Sequence, residues 1–109
     1  MKTVLFLCTG NFYRSRFAEE VFNHLSPRAC PGWQAISRGI AVDLGINNIG
    51  AIHPATVESF EAANIPFDLS TARPPIQLDA ADLKEADHIV ALKADEHLPL
   101  LEERFRDWF

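Results

Sequence analysis

The sequence predicts an α/β fold, a parallel sheet with helices on both faces. Short apolar runs suited to buried strands alternate with segments of helical periodicity, in the order β-α-β-α-(α)-β-α. Glycine-bearing pairs, Gly10-Asn11 and Arg38-Gly39, follow the first two runs. With 109 residues, 48% of them apolar, the chain can build one core but not two, so residues 1–109 are expected to form a single domain.

Val4 to Leu7 is the first strand candidate; its run fits a buried strand or helix, and the Gly10-Asn11 turn favours a strand. Ala18, Val21, Phe22 and Leu25 then fall on one helical face. Arg16, Glu19, Glu20, Asn23 and His24 fall on the other, and Ser26-Pro27 is expected to stop the helix. Trp33 to Ser37 is the second strand, and residues 44–50, with two Gly and two Asn, read as loop. Pro54 opens a second helix whose apolar face is Val57, Phe60 and Ala63. Residues 65–75, with three prolines, look irregular, and Asp79 is the expected N-cap of a short helix. His88 to Leu92 is the third strand. From Glu96 the pattern turns helical, with Leu98, Leu101, Phe105 and Trp108 as a core stripe and Pro99 tolerated only in the first turn.

The net charge of −5 argues against a nucleic-acid module held by phosphate neutralisation, though a local positive site remains open. The first apolar run is four residues long, too short for a signal peptide, and no stretch approaches a membrane span. Two cysteines, Cys8 and Cys30, make no disulfide framework, so a reduced, cytoplasmic protein is expected. His24, His53, His88 and His97 have no ligand spacing, so no metal site is expected.

Right-handed crossovers put all strand C-termini on one edge, where ligands of open α/β sheets bind. The segment Cys8-Thr9-Gly10-Asn11-Phe12-Tyr13-Arg14-Ser15 begins there. A loop entering a helix N-terminus can converge its N–H groups on a phosphoryl dianion. Gly10 would supply backbone angles that a Cβ blocks. The planar fork of Arg14 can clamp two phosphoryl oxygens. A thiol in that field tends toward thiolate, the form that attacks phosphorus, and Ser15 could donate to its sulfur. Against this stands the ordinary role of a strand-end cysteine as a small buried hydrophobe.

The segment from Val4 to Ser15 resembles the N-terminal signature of low-molecular-weight protein tyrosine phosphatases, whose relatives include protein arginine phosphatases and a class of arsenate reductases. Ala18-Glu19, Ile36-Ser37-Arg38-Gly39 and Ala86 to Leu92 fit the same pattern. The resemblance implies a three-layer αβα, flavodoxin-like fold of phosphotyrosine phosphatase I type, its C-terminal strand and helix missing here. It implies Cys8 as the nucleophile forming a thiophosphate, with Ser15 assisting. The N–H groups of Thr9, Gly10, Asn11, Phe12 and Tyr13, with Arg14, would bind phosphate. Asn11 would support the loop through Ser37. No cofactor is implied; the partner would be a phosphorylated protein or small molecule.

Three departures stand out. Tyr13 replaces a second cysteine common in the family. The family's histidine has no counterpart in Leu69-Ser70-Thr71-Ala72-Arg73. The general acid, an Asp usually followed by Pro, has no match, and Asp95 is the one substitute nominated. The 109 residues are therefore read as a shortened chain or as a protein without that acid. A non-hydrolytic oxyanion-binding module and a thiol reductase using Cys30 stay open as alternatives, although Cys30 reads as structural. If the 109 residues are the whole molecule, association through a sheet edge or the last helix is expected.

Overall fold

The computed structural model describes residues 1–45, 48 and 50–108, the last as backbone. Part of the expected 44–50 loop and the expected core position of the Trp108 side chain therefore lie outside the described residues. Strands β1 (Lys2–Cys8), β2 (Trp33–Gly39) and β3 (His88–Ala91) form a parallel sheet in the order β2-β1-β3. The register pairs Lys2 with Trp33 and Cys8 with Gly39, so the C-terminal ends of β1 and β2 lie side by side.

Alternation along β1 sends its side chains to two faces. Leu5 and Leu7 join Ile40, Leu78, Leu83 and Leu101 in the main core. Fully burying one such side chain stabilises the fold by about 2 kcal/mol. Helices α3 (Ala80–Glu85) and α4 (Ala94–Arg104) supply Leu83 and Leu101 to this side. On the opposite side Phe6 meets Phe22 of α1 (Arg14–Ala29) edge-on, at 6.0 Å between centroids. Helix α2 (Pro54–Ala62) packs beside α1, and Phe17 stacks on Phe60. Helices thus lie on both faces of the sheet, as the sequence predicts.

Several local expectations need correction. Helix α1 does not stop at Ser26-Pro27. It runs to Ala29 with Pro27 inside and closes with the Cys30 N–H on the Ser26 carbonyl, 3.0 Å away. Only the bond to Asn23 is forfeited, near the helix end, and packing on β2 carries the rest. The predicted faces of α1 are also exchanged in part. Arg16 is buried at 4% exposure, whereas Leu25 is 54% exposed. The stripe Ala18-Val21-Phe22-Leu25 lines an open apolar groove with Phe6 and Phe17.

Strand β2 extends two residues further than expected, to Gly39. In α2, Thr56 and Phe60 are the buried positions, and Ala63 is an exposed C-cap. The Asp79 cap is present as a full capping box with Asp82. Helix α4 starts at Ala94, so Pro99 sits in its second turn, where the carbonyl it leaves free belongs to exposed Asp95. Leu98 is 47% exposed; Leu101 and Phe105 carry the packing of that stripe.

Candidate functional site

The loop Thr9–Tyr13 joins β1 to α1 at the C-terminal edge of the sheet. Cys8 is buried at its mouth. The Asn11 N–H donates to its Sγ at 3.2 Å, and Ser15 Oγ lies 2.9 Å from it. Ser15 also accepts from Asn11 Nδ2 at 2.7 Å, which leaves the serine proton free to point at the sulfur. Among the described residues the N–H groups of Gly10, Phe12 and Tyr13 meet no protein acceptor. They are available to an anion at the N-terminal end of α1.

Asn11 holds this loop. It is fully buried and left-handed, with φ of 50°. Its Nδ2 donates to Ser15 Oγ and to Ser37 Oγ (2.9 Å). Its Oδ1 accepts from Arg73 Nη1 and from the Ile76 N–H, both at 3.0 Å. Both donors and both lone pairs of the amide are used. The Ser37 hydroxyl donates to Glu19 Oε1 (3.0 Å), and Arg73 Nη2 donates to Ser37 Oγ and Glu19 Oε1 at 3.0 and 3.2 Å.

The expectation for Gly10 is overturned. Its φ is not in the left-handed region, and a Cβ there would meet nothing closer than 3.7 Å. Asn11 takes the left-handed angle instead, which asparagine tolerates through its short polar side chain. The glycine that the loop requires is Gly39. A Cβ on Gly39 would lie 2.9 Å from the Asn11 nitrogen and from the Gly10 carbonyl carbon.

Phe12 and Tyr13 divide between two roles. Phe12 is buried under the loop against His53, and its carbonyl accepts the His53 N–H at 2.9 Å. Tyr13 stands at the rim, stacked on His53 at 5.4 Å. Arg16, expected on a solvated face, instead bonds the carbonyls of Asn11 (3.3 Å), Ala51 (2.9 Å) and Arg73 (2.6 Å). Burial, and then the charge of Arg73, bring its pKa down to about 10.

Arg14 reaches the same pocket as Cys8. Its Nη1 and Nη2 bond the two oxygens of Glu96 at 3.0 and 2.8 Å, and Thr9 Oγ1 donates to Glu96 Oε1 at 2.5 Å. Those two hydrogen-bond partners, Arg14 first, lower the Glu96 pKa to about 2. The same bond raises the pKa of Arg14. Asp95, the nominated acid, is exposed in the first turn of α4, and among the described residues no side-chain hydrogen bond or ion pair joins it to the loop. Successive helical residues point roughly 100° apart, so the helix start at Ala94 aims Glu96 at the loop. Behind Glu96, His97 is fully buried. Its Nδ1 accepts the Lys93 N–H at 3.0 Å, and its Nε2 has no hydrogen-bond partner among the described residues.

Arg16, Glu19, Arg73, Ile76, Glu96 and His97 are absent from the sequence reading of the site. Arg73 lies in the irregular proline-rich segment 65–75, where no local pattern points to the loop. A backbone donor such as Ile76 leaves no mark on residue type. Glu96 marks only the start of a helical pattern in the sequence, next to the nominated Asp95. Cys30 lies near Lys2 and Trp33, at the opposite end of β1 from Cys8. Among the described residues no group of three or more His, Cys, Asp or Glu could hold a metal ion, and no helix is long and apolar enough to cross a membrane.

The chain is 33% identical over 96 residues to the low molecular weight protein-tyrosine-phosphatase YfkJ of Bacillus subtilis (strain 168), covering 87% of this chain and 58% of that protein. The crystal structure of YfkJ superposes with a TM-score of 0.75 over 95% of this chain and 62% of the other. A low molecular weight protein tyrosine phosphatase from T. tengcongensis, 31% identical, gives 0.74 over 94% and 66%. The chain thus spans about three-fifths of the length of these relatives. A family model described as low molecular weight phosphotyrosine protein phosphatase matches residues 3–107. With the Cys8 loop, the parallel sheet and this match in agreement, the chain belongs to the low molecular weight phosphotyrosine protein phosphatase family.

Proposed function

We propose that the Cys8 loop binds a phosphoryl group and transfers it to the Cys8 sulfur, making this chain the nucleophile-bearing part of a phosphomonoester phosphatase. The observation that carries the reading is the sulfur itself, held by the Asn11 N–H and Ser15 Oγ at the floor of a pocket that Arg14 also lines. The thiolate attacks phosphorus as the P–O bond to the leaving group breaks, giving a thiophosphate on Cys8. Water then cleaves the P–S bond and returns the thiolate. The N–H groups of Thr9, Gly10, Phe12 and Tyr13 and the Arg14 fork take the charge on the phosphoryl oxygens, while the Asn11 N–H stays on the sulfur. Ser15 donates to the sulfur in its anionic form. No step draws on a metal or cofactor, and the reduced cytoplasm suits a free thiol.

The leaving oxygen needs a proton, and a positioned acid is worth about 10²–10⁴-fold. Glu96, held ionised by Arg14, is a poor donor. Aryl phosphates, whose phenolate leaves with least help, are therefore the substrates expected to turn over, and phosphotyrosine is the protein-borne example. The proton question also favours a second reading, an oxyanion-binding module without turnover. The reductase reading has no resolving thiol near Cys8. If the 109 residues are the whole molecule, association through the sheet edge or the last helix follows; a monodisperse monomer in concentrated solution would overturn that.

The test is hydrolysis of an aryl phosphate by the wild type, Cys8→Ser and Arg14→Ala. Turnover lost in both variants supports the phosphatase. Phosphate binding without turnover in the wild type supports the binding module. Turnover that survives Cys8→Ser overturns the nucleophile.

A further inference from the structure

We propose that Glu96 is a positioning residue for Arg14, holding the guanidinium by its far end so that its other edge faces the oxyanion cradle. This rests on reading the Cys8 loop as a phosphoryl site.

Two roles are open to a carboxylate on that arginine. It could sit where a phosphoryl group would sit and block the site, or it could brace the arginine from outside. The geometry points to the brace. Cys8, Thr9, Gly10, Phe12, Tyr13 and Arg14 line the pocket at the sulfur, and Glu96 does not. Glu96 takes one hydrogen from each of Nη1 and Nη2. A guanidinium carries five N–H groups. The Nε–H and the second Nη hydrogens stay free, enough for a two-point grip on a phosphoryl group.

The brace is itself fixed on one further side and backed on another. Thr9, the residue after the nucleophile, donates its hydroxyl to Glu96 Oε1. His97, fully buried with Nδ1 accepting from Lys93, carries its proton on Nε2, and that nitrogen lies 3.6 Å from Glu96 Oε1. That separation is beyond hydrogen-bond distance, and Nε2 has no hydrogen-bond partner among the described residues, so the imidazole backs the carboxylate without bonding it. Glu96 therefore ties α4 to both flanks of the Cys8 loop. An arginine held this way meets the anion with its rotamer already chosen.

Orthovanadate is the probe, because it takes the five-coordinate geometry of phosphoryl transfer on a loop thiolate and needs no general acid. Its affinity is measured for the wild type, Glu96→Ala, Arg14→Lys and the double variant. Glu96→Ala is expected to lose at least tenfold in affinity when Arg14 is present. In the Arg14→Lys background, where there is no fork to brace, the same change should cost less than twofold. Glu96→Gln, of nearly the same size, replaces Glu96→Ala if circular dichroism shows the alanine variant unfolded. Equal losses in both backgrounds would mean that Glu96 only docks α4. Unchanged or tighter binding by Glu96→Ala would mean that it blocks the site. Either result overturns the proposal while leaving the phosphoryl site standing. A wild-type chain that binds no vanadate overturns both.

Discussion

Asn11 and Arg73, 62 positions apart in the chain, meet through a 3.0 Å bond from Nη1 to Oδ1. The same guanidinium reaches Ser37 and Glu19, so one side chain from the proline-rich segment ties together the loop, β2 and α1.

Arg73→Ala should therefore act on the loop at a distance. It strips a donor from Asn11 and Ser37 and leaves Glu19 half-buried without its cation. A stability loss of about 2–4 kcal/mol is expected, since a partly buried charge loses its partner. Turnover of an aryl phosphate should fall at least about tenfold through misplacement of the loop. Arg73→Lys, a single point charge facing three side-chain acceptors, should fall between wild type and alanine. Chemical denaturation and kcat/KM on the three proteins check this.

Gly39→Ala should damage the loop more than Gly10→Ala, although Gly10 lies inside the motif. A Cβ on Gly39 meets Val42 Cγ2 at 2.6 Å and loop backbone at 2.9 Å, whereas at Gly10 the nearest atom is 3.7 Å away. Overpacking of this kind costs about 1–3 kcal/mol. Melting temperatures of the two variants should separate them, with Gly39→Ala the lower.

Stability should fall as the solution is acidified through the range where an exposed histidine titrates. Burial lowers the pKa of His97 below its ordinary value of 6.5, and the charge of Arg14 acts in the same direction. The unfolded chain then binds a proton that the folded chain refuses, so unfolding is favoured as pH drops below about 6.5. The folded state keeps its full advantage above that value. Denaturation midpoints from pH 7.5 to 5 should show this slope, and His97→Gln should flatten it.

Asp79→Ala removes the capping box of α3, in which Asp79 and Asp82 exchange bonds of 3.1 Å. A loss of about 1 kcal/mol is expected in urea denaturation. Phosphate affinity should stay within twofold of wild type, because neither residue touches the loop.

The fold was legible because its signals are local. Apolar runs marked all three strands, Pro54 and Asp79 marked two helix starts, and the turn after Leu7 marked the site's place. Errors arose where long-range packing overrode local preference. Arg16 looked solvated by periodicity, yet three backbone carbonyls accept from it inside the molecule. Pro27 looked like a stop, yet α1 runs two residues further, to Ala29. In the site, the contiguous loop could be read from eight residues, whereas Arg73, Ile76 and Glu96 arrive from far along the chain. The glycine argument failed for a related reason. Gly10 drew attention by its place in the motif, while the crowding falls on Gly39, whose neighbours only the sheet register reveals.

The separation of the two thiols has a consequence for damage and repair. Cys8 ends β1, whereas Cys30 lies beside Trp33 near the strand's other end, so most of the strand separates the two thiols. Tyr13, at the loop's rim, offers no sulfur. A peroxide that converts Cys8 to a sulfenic acid therefore leaves it without a nearby thiol to trap it. A small thiol diffusing in from solution can cap it instead. The lifetime of the oxidised protein then tracks the reducing power of its surroundings.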